Sequence, residues 1–371
     1  MTQENLVLYR KYRPKHFDEV IGQEHVVSAV TNAIKQGKAA HAYLFSGPRG
    51  VGKTTMARLI AKALNCQAGE KPCNRCESCD RYNQGRALDL IEIDAASNRG
   101  IDEVRELREG VRFVPNEGKY KVYVIDEAHQ LTKEAFNALL KTLEEPPPHV
   151  VFVLATTELD KVPPTVVSRT QHFDFRRPRS EIIRDRLIAI AKSEGVRLDE
   201  AAASTIAFVA EGSVRDAESL LGKIMAVEDE RITAKEVEEI LGIPERQALL
   251  DLFQFIARRQ LKEAIDLVHR LYHAGFEMEY LTKMLISFFR DALLLKTDPA
   301  LGSAAGGYAA GSAASEISES LTSYSADALA DAILAFIEAL ASGRRSPIPQ
   351  LPLELALINI IHGKHGQSSS A

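Results

Sequence analysis

A glycine-rich segment that ends in a lysine and a threonine carries the clearest chemistry in the sequence. The segment GPRGVGKT spans residues 47–54 and fits the pattern GxxxxGK[ST], between an apolar run and a helical pattern. Glycines let backbone N–H groups close around phosphates, and the helix N-terminus adds positive dipole. Lys53 can reach the β- and γ-phosphates, and Thr54 can ligate Mg²⁺. We therefore expect an ATP-binding loop rather than an accidental glycine-rich turn. Its predicted residues are Gly47, Pro48, Arg49, Gly50, Val51, Gly52, Lys53, Thr54 and Thr55.

Two adjacent carboxylates end an apolar segment about 70 residues further on. The segment VYVIDEAH spans residues 122–129, and strand alternation sends Asp126 and Glu127 in different directions. Asp126 can then join the Mg²⁺ shell while Glu127 polarises the attacking water, which predicts a hydrolase. A solvated acidic strand end is the alternative.

Hydroxyl groups and an arginine follow the next apolar run, VVFVLATTELDKVPPTVVSRT. Thr156 or Thr157 can read the γ-phosphate or orient the lytic water, although β-propensity and capping also explain threonines there. Arg169 has no carboxylate neighbour in the sequence, which suits an arginine finger that acts in trans on the ATP of the next subunit. An ordinary surface arginine is the alternative.

All four cysteines of the chain lie within fourteen residues, at Cys66, Cys73, Cys76 and Cys79. In a reducing cytosol such a cluster indicates a metal site before a disulfide framework. Four thiolates suit tetrahedral Zn²⁺ and leave no open position for catalysis, so we expect structural zinc. An iron–sulfur cluster or a redox pair remains the alternative.

The overall composition limits the classes of partner. The 371 residues include 46 Lys and Arg against 51 Asp and Glu, a net charge of -5, so any DNA contact must come from local basic patches. No stretch approaches the roughly 18 to 20 uninterrupted apolar residues of a membrane span, and the polar start lacks a secretory apolar region. We expect a cytoplasmic protein without membrane contact.

Short apolar runs alternate with amphipathic segments from about residue 23 to 155, which predicts a parallel sheet flanked by helices. The predicted strands are Ala42–Phe45, Leu88–Ile93, Lys121–Asp126, Val150–Ala155 and Gln171–Phe175. Helical patterns alone follow, starting with Ser180–Ala191, Asp199–Ala210 and Val214–Val227. The expected class is α/β plus all-α, with domains at 1–178, 179–243 and 244–371; Gly, Ala and Ser residues make 299–320 a predicted flexible segment.

Several of these segments together resemble the AAA+ ATPases, and more closely the gamma/tau family of bacterial DNA polymerase III clamp-loader subunits. The resemblance is strong over roughly residues 6–295. It is carried, in family order, by YRKYRPKHFDEVIGQEHV, HAYLFSGPRGVGKTTMARLIAKALNC, VYVIDEAHQLTKEAFNALLKTLEEPP, LATTELDKVPPTVVSRT and EGSVRDAESLL. It implies an AAA+ P-loop sheet domain with a zinc module at about 66–79, a helical lid and a C-terminal helical collar that oligomerises.

The resemblance also implies site residues. Those expected near the adenine base are Tyr9, Tyr12, Arg13, Pro14, Val20 and Ile21. Arg215 matches the second sensor, an arginine of the lid that contacts the ATP of its own subunit, and Gly212-Ser213 before it suit a helix cap. Arg169 falls on the family's Ser-Arg-Cys motif, where this chain has Thr170 in place of the cysteine.

The implied activity is that of an ATP-driven motor that opens the sliding clamp and loads it onto primed DNA. The implied partners are the delta and delta prime subunits, further copies of the chain, the clamp and primed DNA; longer family members also bind the polymerase and the replicative helicase. Arg99 and Lys141 are candidates for DNA contact, though a solvated helix start and a structural lysine explain them equally well.

Two other functions remain to be weighed against the loader motor. One is a nucleotide-binding scaffold without turnover, but the complete set Lys53, Thr54, Asp126 and Glu127 argues against it. The other is a hexameric helicase-type AAA+ DNA motor, which the cysteine module and the long helical C-terminal part disfavour.

Overall fold

The computed structural model describes residues 7–227, 230–244, 246–298, 321–322, 324–343 and 345–363. The predicted flexible segment 299–320 lies outside these residues. Internal contacts divide the chain into two compact units, Met1–Thr233 and Ala234–Ala371. No helix of the described part is both long and apolar enough to cross a membrane.

A five-stranded parallel sheet forms the centre of the first unit. Its strands are β1 (Ala42–Ser46), β2 (Leu90–Asp94), β3 (Lys121–Asp126), β4 (Val150–Thr156) and β5 (Gln171–Asp174). They lie in the order β2-β3-β4-β1-β5. The register pairs Ala42 with Phe152 and Lys121 with Val150. The carboxyl ends of β1, β3 and β4 therefore meet at one edge, where open parallel sheets place their ligands.

Helices cover both faces of this sheet, as the alternation of strands and helices predicts. The helices that precede or connect the strands are α1 (Leu8–Lys11), α2 (Glu24–Lys35), α3 (Lys53–Leu64), α4 (Glu77–Asn83), α5 (Ile101–Gly110), α6 (Lys133–Glu144) and α7 (Pro164–Val167). Short 3-10 turns occupy Phe17–Glu19, Ala128–Gln130 and Leu159–Lys161.

Successive residues of β1 enter two different hydrophobic cores. Tyr43 and Phe45 pack in the core that contains residues of α2 and α3, whereas Ala42 and Leu44 pack in the core that contains residues of α5 and α6. Because both faces of the strand are covered, β1 is buried throughout and reads as a continuous apolar run in the sequence.

A small helical part completes the first unit. Its helices are α8 (Ser180–Ser193), α9 (Glu200–Val209) and α10 (Val214–Met225). A two-stranded parallel sheet pairs β6 (Arg197–Leu198) with β7 (Arg231–Ile232). The Ser213 side chain caps α10 by accepting a hydrogen bond from Asp216 N at 3.2 Å. The predicted cap is confirmed, and it places Arg215 in the first turn of α10.

The second unit is all-α over its described residues. Its helices are α11 (Ala234–Leu241), α12 (Arg246–Ala257), α13 (Leu261–His273), α14 (Met278–Thr297), α15 (Ala326–Gly343) and α16 (Leu351–His362). Aromatic rings fill its core: Phe253 lies 5.0 Å from Phe289, which lies 5.2 Å from Phe336, centroid to centroid. The predicted combination of an α/β part with an all-α part is confirmed.

Candidate functional site

One open cleft in the first unit brings together most of the residues expected to bind nucleotide. It encloses about 940 Å³, including space open to solvent. Its lining comprises Tyr9, Arg13, Pro14, Glu19, Val20, Ile21, Arg49, Gly50, Val51, Gly52, Lys53, Thr54, Thr55, Asp126, Glu127, Arg186, Val214, Arg215 and Glu218. The cleft lies where β1 passes into α3, so the sheet edge, the N-terminal segment and the helical part all contribute.

The loop between β1 and α3 holds its lysine inside the protein. Lys53 is 6% exposed, and its Nζ donates hydrogen bonds to the carbonyl oxygens of Gly47 and Pro48, each at 2.7 Å. Burial lowers the pKa of Lys53, while the nearby charges of Glu127 and Asp126 act in the opposite direction. The ammonium group is thus placed beside the backbone of the loop and close to both carboxylates.

The start of α10 lies directly against this loop. Gly50 has φ +77°, and a Cβ atom there would lie 1.9 Å from Ser213 Oγ. Arg215 N donates a hydrogen bond to Gly50 O at 3.3 Å. Glycine is therefore required at position 50 both by backbone conformation and by the close approach of the helical part.

The threonine that follows the lysine is joined to the end of β3. Thr54 Oγ1 donates a hydrogen bond to Asp126 Oδ2 at 2.9 Å. A hydroxyl and a carboxylate oxygen at this separation are suitable ligands for one magnesium ion. The structure thus brings together the two residues that the sequence assigned to Mg²⁺.

Glu127 lies beyond the strand rather than on it. The strand β3 ends at Asp126, and Glu127 adopts the left-handed conformation with φ +48° and ψ +44°. Asp126 contacts Thr54 whereas Glu127 contacts Thr157, and the chain turn at Glu127, rather than strand alternation, gives the two carboxylates different partners. A left-handed glutamate costs of order 1 kcal/mol, and such residues are concentrated at active sites.

Polar partners surround the Glu127 carboxylate. Thr157 Oγ1 donates to Glu127 Oε2 at 3.0 Å, and His129 Nδ1 lies 3.5 Å from the same oxygen. The side chain of His129 is nearly buried and also contacts Thr156 Oγ1 at 3.0 Å. Of the two threonines considered in the sequence, Thr157 contacts Glu127, whereas Thr156 contacts His129.

The N-terminal segment contributes five of the six residues expected near the adenine base. Tyr9, Arg13, Pro14, Val20 and Ile21 line the cleft. The guanidinium of Arg215 lies over the Tyr9 ring at 4.7 Å, and hydrogen bonds from Arg10 and Arg215 lower the pKa of Tyr9.

Tyr12, the sixth residue, does not line the cleft. Its hydroxyl donates a hydrogen bond to the carboxylate of Glu194, the residue that follows α8. Burial, together with Glu194, raises the pKa of Tyr12 to about 12. Tyr12 thus ties the N-terminal segment to the helical part.

Sequence reasoning missed three charged residues of the cleft, Glu19, Arg186 and Glu218. Glu218 is 5% exposed, and Arg186 Nε donates to its Oε1 at 3.3 Å. Burial raises the pKa of Glu218 to about 7, against the opposing charges of Arg186 and Arg13. The helical spacing of Glu218 to Arg215, three residues, places both on one face and could have identified it. No local pattern marks Arg186.

Arg169 lies outside the cleft lining and has a carboxylate partner in the fold. Its Nε donates to Glu144 Oε1 at 2.7 Å, and its Nη1 donates to the Thr165 carbonyl at 2.8 Å. The expectation of no carboxylate neighbour held only for the local sequence, because Glu144 belongs to the end of α6. Arg99 and Lys141, the two candidates for DNA contact, are both exposed.

The four cysteines converge on one point, as their spacing predicts. Their sulfur atoms all lie within 4.8 Å of one another, and Cys73 Sγ is 4.0 Å from Cys79 Sγ. Tetrahedral zinc with bonds of about 2.3 Å needs sulfur atoms about 3.8 Å apart, so the cluster fits zinc. A backbone hydrogen bond at Arg75 lowers the pKa of Cys73 to about 6, whereas burial raises that of Cys79 to about 12.

One asparagine connects this cysteine module to the sheet. Asn65 directly follows α3 and precedes Cys66. Its Oδ1 accepts hydrogen bonds from the backbone N–H groups of Lys119 and Tyr120, each at 2.8 Å. Its Nδ2 donates to Tyr82 Oη at 2.7 Å and to the Tyr120 carbonyl at 2.8 Å. The side chain of Asn65 therefore connects three elements: α3, the cysteine module and the residues just before β3.

Three sequence profiles of known families match consecutive parts of the chain. Residues 22–179 match the profile described as DNA polymerase III, delta subunit. Residues 182–227 match the ATPase lid domain of the DNA polymerase III clamp loader subunit. Residues 232–369 match domain III of DNA polymerase III subunits gamma and tau. Together they cover the sheet, the helical part of the first unit and the all-α unit.

Individual relatives agree with these profiles. DNA polymerase III subunit gamma of Buchnera aphidicola subsp. Schizaphis graminum is 42% identical over 79% of this chain and 81% of its own length. Subunit tau of Bacillus subtilis is 44% identical over 79% of this chain and 53% of its own length. Among solved structures, the Thermotoga maritima RuvB Holliday junction branch migration motor aligns with a TM-score of 0.49 and 23% identity, over 64% of this chain and 78% of that chain. The chain thus spans about half the length of the tau relative and most of the gamma relative.

Proposed function

Because the chain belongs to the gamma/tau family of DNA polymerase III subunits, we propose that it is an ATP-hydrolysing motor subunit of a clamp loader. In this function it opens a sliding clamp and places it on primed DNA. The single observation that carries the proposal is the convergence of Lys53, Thr54, Asp126 and Glu127 in one cleft, since a non-hydrolysing scaffold does not require all four.

Each residue has a separate part in the proposed hydrolysis. The loop N–H groups and Lys53 bind the phosphates, and Thr54 with Asp126 holds Mg²⁺. When bound, Mg²⁺ neutralises charge that develops on the phosphate oxygens. Glu127 accepts a proton from the attacking water. Thr157 orients the Glu127 carboxylate through the 3.0 Å hydrogen bond.

The lid makes the cleft sensitive to the position of the helical part. Arg215 reaches the cleft from the first turn of α10, whose preceding residue Ser213 touches the loop at Gly50. A phosphate contact by Arg215 would therefore be lost if α10 moved away from the loop. This dependence gives a means by which ATP binding orders the subunit for clamp opening.

Arg169 is proposed to act on the ATP of a neighbouring subunit. It stands outside the cleft of its own chain, where its guanidinium contacts Glu144, the Thr165 carbonyl and Ser168 Oγ, so action on a neighbouring subunit requires it to leave these partners. The proposed partners are further copies of this chain, the delta and delta prime subunits, the sliding clamp and primed DNA, with Arg99 and Lys141 as candidate DNA contacts. The longer family members would also reach the polymerase and the helicase.

The second unit is proposed to form the oligomeric collar. Exposed apolar side chains follow helical spacing on two of its helices: Leu334 and Ile337 on α15, and Leu355 and Ile358 on α16. Apolar positions on neighbouring helices that remain exposed in a single chain are typical of protein interfaces. We propose domain boundaries at 178/179 and 243/244, a structural zinc ion on the four cysteines, and a cytoplasmic location.

The test is ATP hydrolysis by the chain reconstituted with the other loader subunits, with and without clamp and primed DNA. We expect stimulation that requires both clamp and DNA. In Arg169→Ala this stimulation should be lost while each subunit still binds ATP; Lys38→Ala, which removes an exposed cation outside the cleft, serves as the control. Hydrolysis that responds to DNA alone would overturn the loader function in favour of a helicase-type motor.

A further inference from the structure

A second, strongly basic groove lies in the first unit beside the nucleotide cleft. It is bounded by the N-terminal segment, α3, the end of α4 and β2, and it encloses about 1440 Å³ including space open to solvent. Five cationic side chains line it, and one carboxylate, Glu92, does. The cations are Arg10, Arg13, Lys15, Arg58 and Lys62. Because the whole chain is net acidic, this concentration of positive charge is a local feature.

The protein neutralises only part of this charge. Glu92 forms an ion pair with Arg58, so the carboxylate that lines the groove already has a cationic partner. Lys62 is 3% exposed and donates hydrogen bonds to the carbonyl of Lys15 at 3.1 Å, to Asn83 Oδ1 at 2.5 Å and to Asn74 Oδ1. These acceptors are neutral, although Cys79 lies close enough to influence Lys62 electrostatically. Lys62 therefore lies between the groove and the cysteine module, and its charge acts on both.

Arg13 is a cation of the groove without a direct carboxylate partner, although Glu92 and Glu218 lie close enough to act on it electrostatically. Its side chain is half-buried, and no residue in the described part of the chain forms a hydrogen bond or ion pair with its guanidinium. Burial lowers the pKa of Arg13 and the positive charge of Arg58 lowers it further, while the negative charge of Glu92 acts in the opposite direction. A half-buried guanidinium among like charges is unfavourable unless an anion accompanies it. Arg13 lines both the groove and the nucleotide cleft, so an anion bound in either one can contact its guanidinium.

The remaining lining of the groove is apolar or an amide, except for the aromatic residue Tyr82. Leu59, Ala87 and Leu90 supply apolar surface, and Asn83 and Gln84 supply amides. Cations for phosphates combined with an aromatic ring on which a base can stack are features of proteins that hold single-stranded nucleic acids, and Tyr82 is the aromatic residue of this lining. An acidic peptide would use the cations but gain less from the apolar surface.

We propose that this basic groove binds a phosphate-bearing ligand, either a single-stranded nucleic acid backbone or a free polyphosphate, at a site that adjoins the nucleotide cleft and shares only Arg13 and Pro14 with it. The site does not require ATP hydrolysis, so it stands independently of the proposed motor function. It also differs from the candidate DNA contacts Arg99 and Lys141, neither of which lines the groove.

The test measures binding by the whole chain with the nucleotide cleft saturated by ADP and Mg²⁺. The probes are a fluorescein-labelled twelve-nucleotide oligothymidylate, followed by anisotropy, and inorganic tripolyphosphate, followed by calorimetry. The groove variant is Lys15→Gln/Arg58→Gln, which removes two cations but leaves the cleft lining intact. Lys35→Gln/Lys38→Gln removes two exposed cations outside the groove and is the matched control. Thermal unfolding of each variant verifies its fold.

We expect the groove variant to bind the probe at least tenfold more weakly than the wild type and the control variant. Its salt dependence should fall by about 1.4 in log–log slope, because about 0.7 is lost for each phosphate contact with a single strand. Binding of both probes, with mutual competition, identifies a general phosphate site; binding of only one identifies its source. Three results overturn the proposal: neither probe binds, the groove variant binds as the control does, or Arg99→Gln abolishes binding while the groove variant does not.

Discussion

Thr157 Oγ1 donates a hydrogen bond to Glu127 Oε2 over 3.0 Å, which joins the residue after β4 to the residue after β3. The two strands are direct neighbours in the sheet. The glutamate is held in a left-handed turn, so its carboxylate is oriented from both its backbone and its partner. Any displacement of β4 relative to β3 would consequently alter the proposed base.

Substitutions at this pair should affect turnover and leave nucleotide binding intact. Glu127→Gln removes the proton acceptor and should lower ATP hydrolysis by about 100-fold or more. Thr157→Val keeps the acceptor but removes its hydrogen bond, so we expect a smaller loss, about tenfold. Steady-state turnover and the affinity for a fluorescent ATP analogue measure the two effects. Thr297→Val, an exposed threonine of the second unit, should change neither; a weaker analogue affinity in Thr157→Val would instead assign Thr157 to phosphate binding.

The cysteine cluster should contain about one zinc ion per chain. Cys73→Ser removes one of four ligands, so the metal content and the thermal unfolding temperature should both fall. Ser78→Ala, a substitution between two of the cysteines that removes no thiol, should retain both. Elemental analysis of protein purified without chelators is the measurement. Iron in place of zinc, or no metal in the wild type, would refute the proposed centre.

The stability of the chain should depend on the protonation of Glu218. Its pKa is raised from 4.5 to about 7 in the folded chain, because burial outweighs the charges of Arg186 and Arg13. The protonated form is therefore favoured by folding, and this contribution, present in full below pH 4.5, is lost as the pH rises through 7. The loss amounts to at most about 3 kcal/mol.

Glu218→Gln tests this relationship because it keeps the shape of the side chain and does not titrate. Denaturant unfolding between pH 5 and 8 should show a shallower decline in unfolding free energy for the variant than for the wild type. Glu109→Gln, at an exposed position, controls for the loss of a carboxylate. If the wild type and Glu218→Gln decline in parallel, Glu218 ionises normally.

Replacing Gly50 should weaken nucleotide binding through steric conflict with the lid. Gly50→Ala places Cβ 1.9 Å from Ser213 Oγ, so either the loop or α10 must shift. We expect at least a tenfold loss of ADP affinity. Gly37→Ala provides the matched control, because Gly37 also has positive φ (+67°) but has no atom within 4 Å of the added Cβ.

The double variant Gly50→Ala/Ser213→Gly separates the two costs of that change. It removes the clash but keeps the left-handed backbone, whose cost is about 1 to 2 kcal/mol. Partial recovery of ADP affinity is therefore expected, with a coupling energy between the two positions. Full additivity of the two single substitutions would mean that the contact with Ser213 is unimportant.

The sequence predicted the sheet well because its three central strands, β3, β4 and β1, are buried on both faces. The predicted Lys121–Asp126 matches β3 at both ends, and β1 and β4 each extend one residue beyond their predicted ends. The largest shift is at β2, which begins at Leu90 rather than Leu88. Leu88 is exposed, and Asp89 instead accepts hydrogen bonds from three backbone N–H groups, the shortest at 2.6 Å. The apolar residue Leu88 lies outside the strand, and its inclusion made the predicted start of β2 two residues too early.

The parts of the site that sequence reasoning missed depend on contacts between distant segments. Glu144 pairs with Arg169 across 25 residues, and Glu194 accepts from Tyr12 across 182. No local periodicity encodes such pairs. Motif residues such as Lys53 and Asp126 were identified because phosphate and metal chemistry fixes their spacing along the chain.

The hydrogen bonds of Asn65 determine which parts of the first unit unfold together. Its side chain bonds to Tyr82 in the cysteine module and to the backbone just before β3, while its backbone closes the P-loop helix. Fraying of the cysteine module therefore exposes the amides of Lys119 and Tyr120, and fraying of α3 does the same. We expect the cysteine module and α3 to open as one cooperative unit, so that the stability of the cysteine cluster limits the unfolding of the elements proposed to bind ATP.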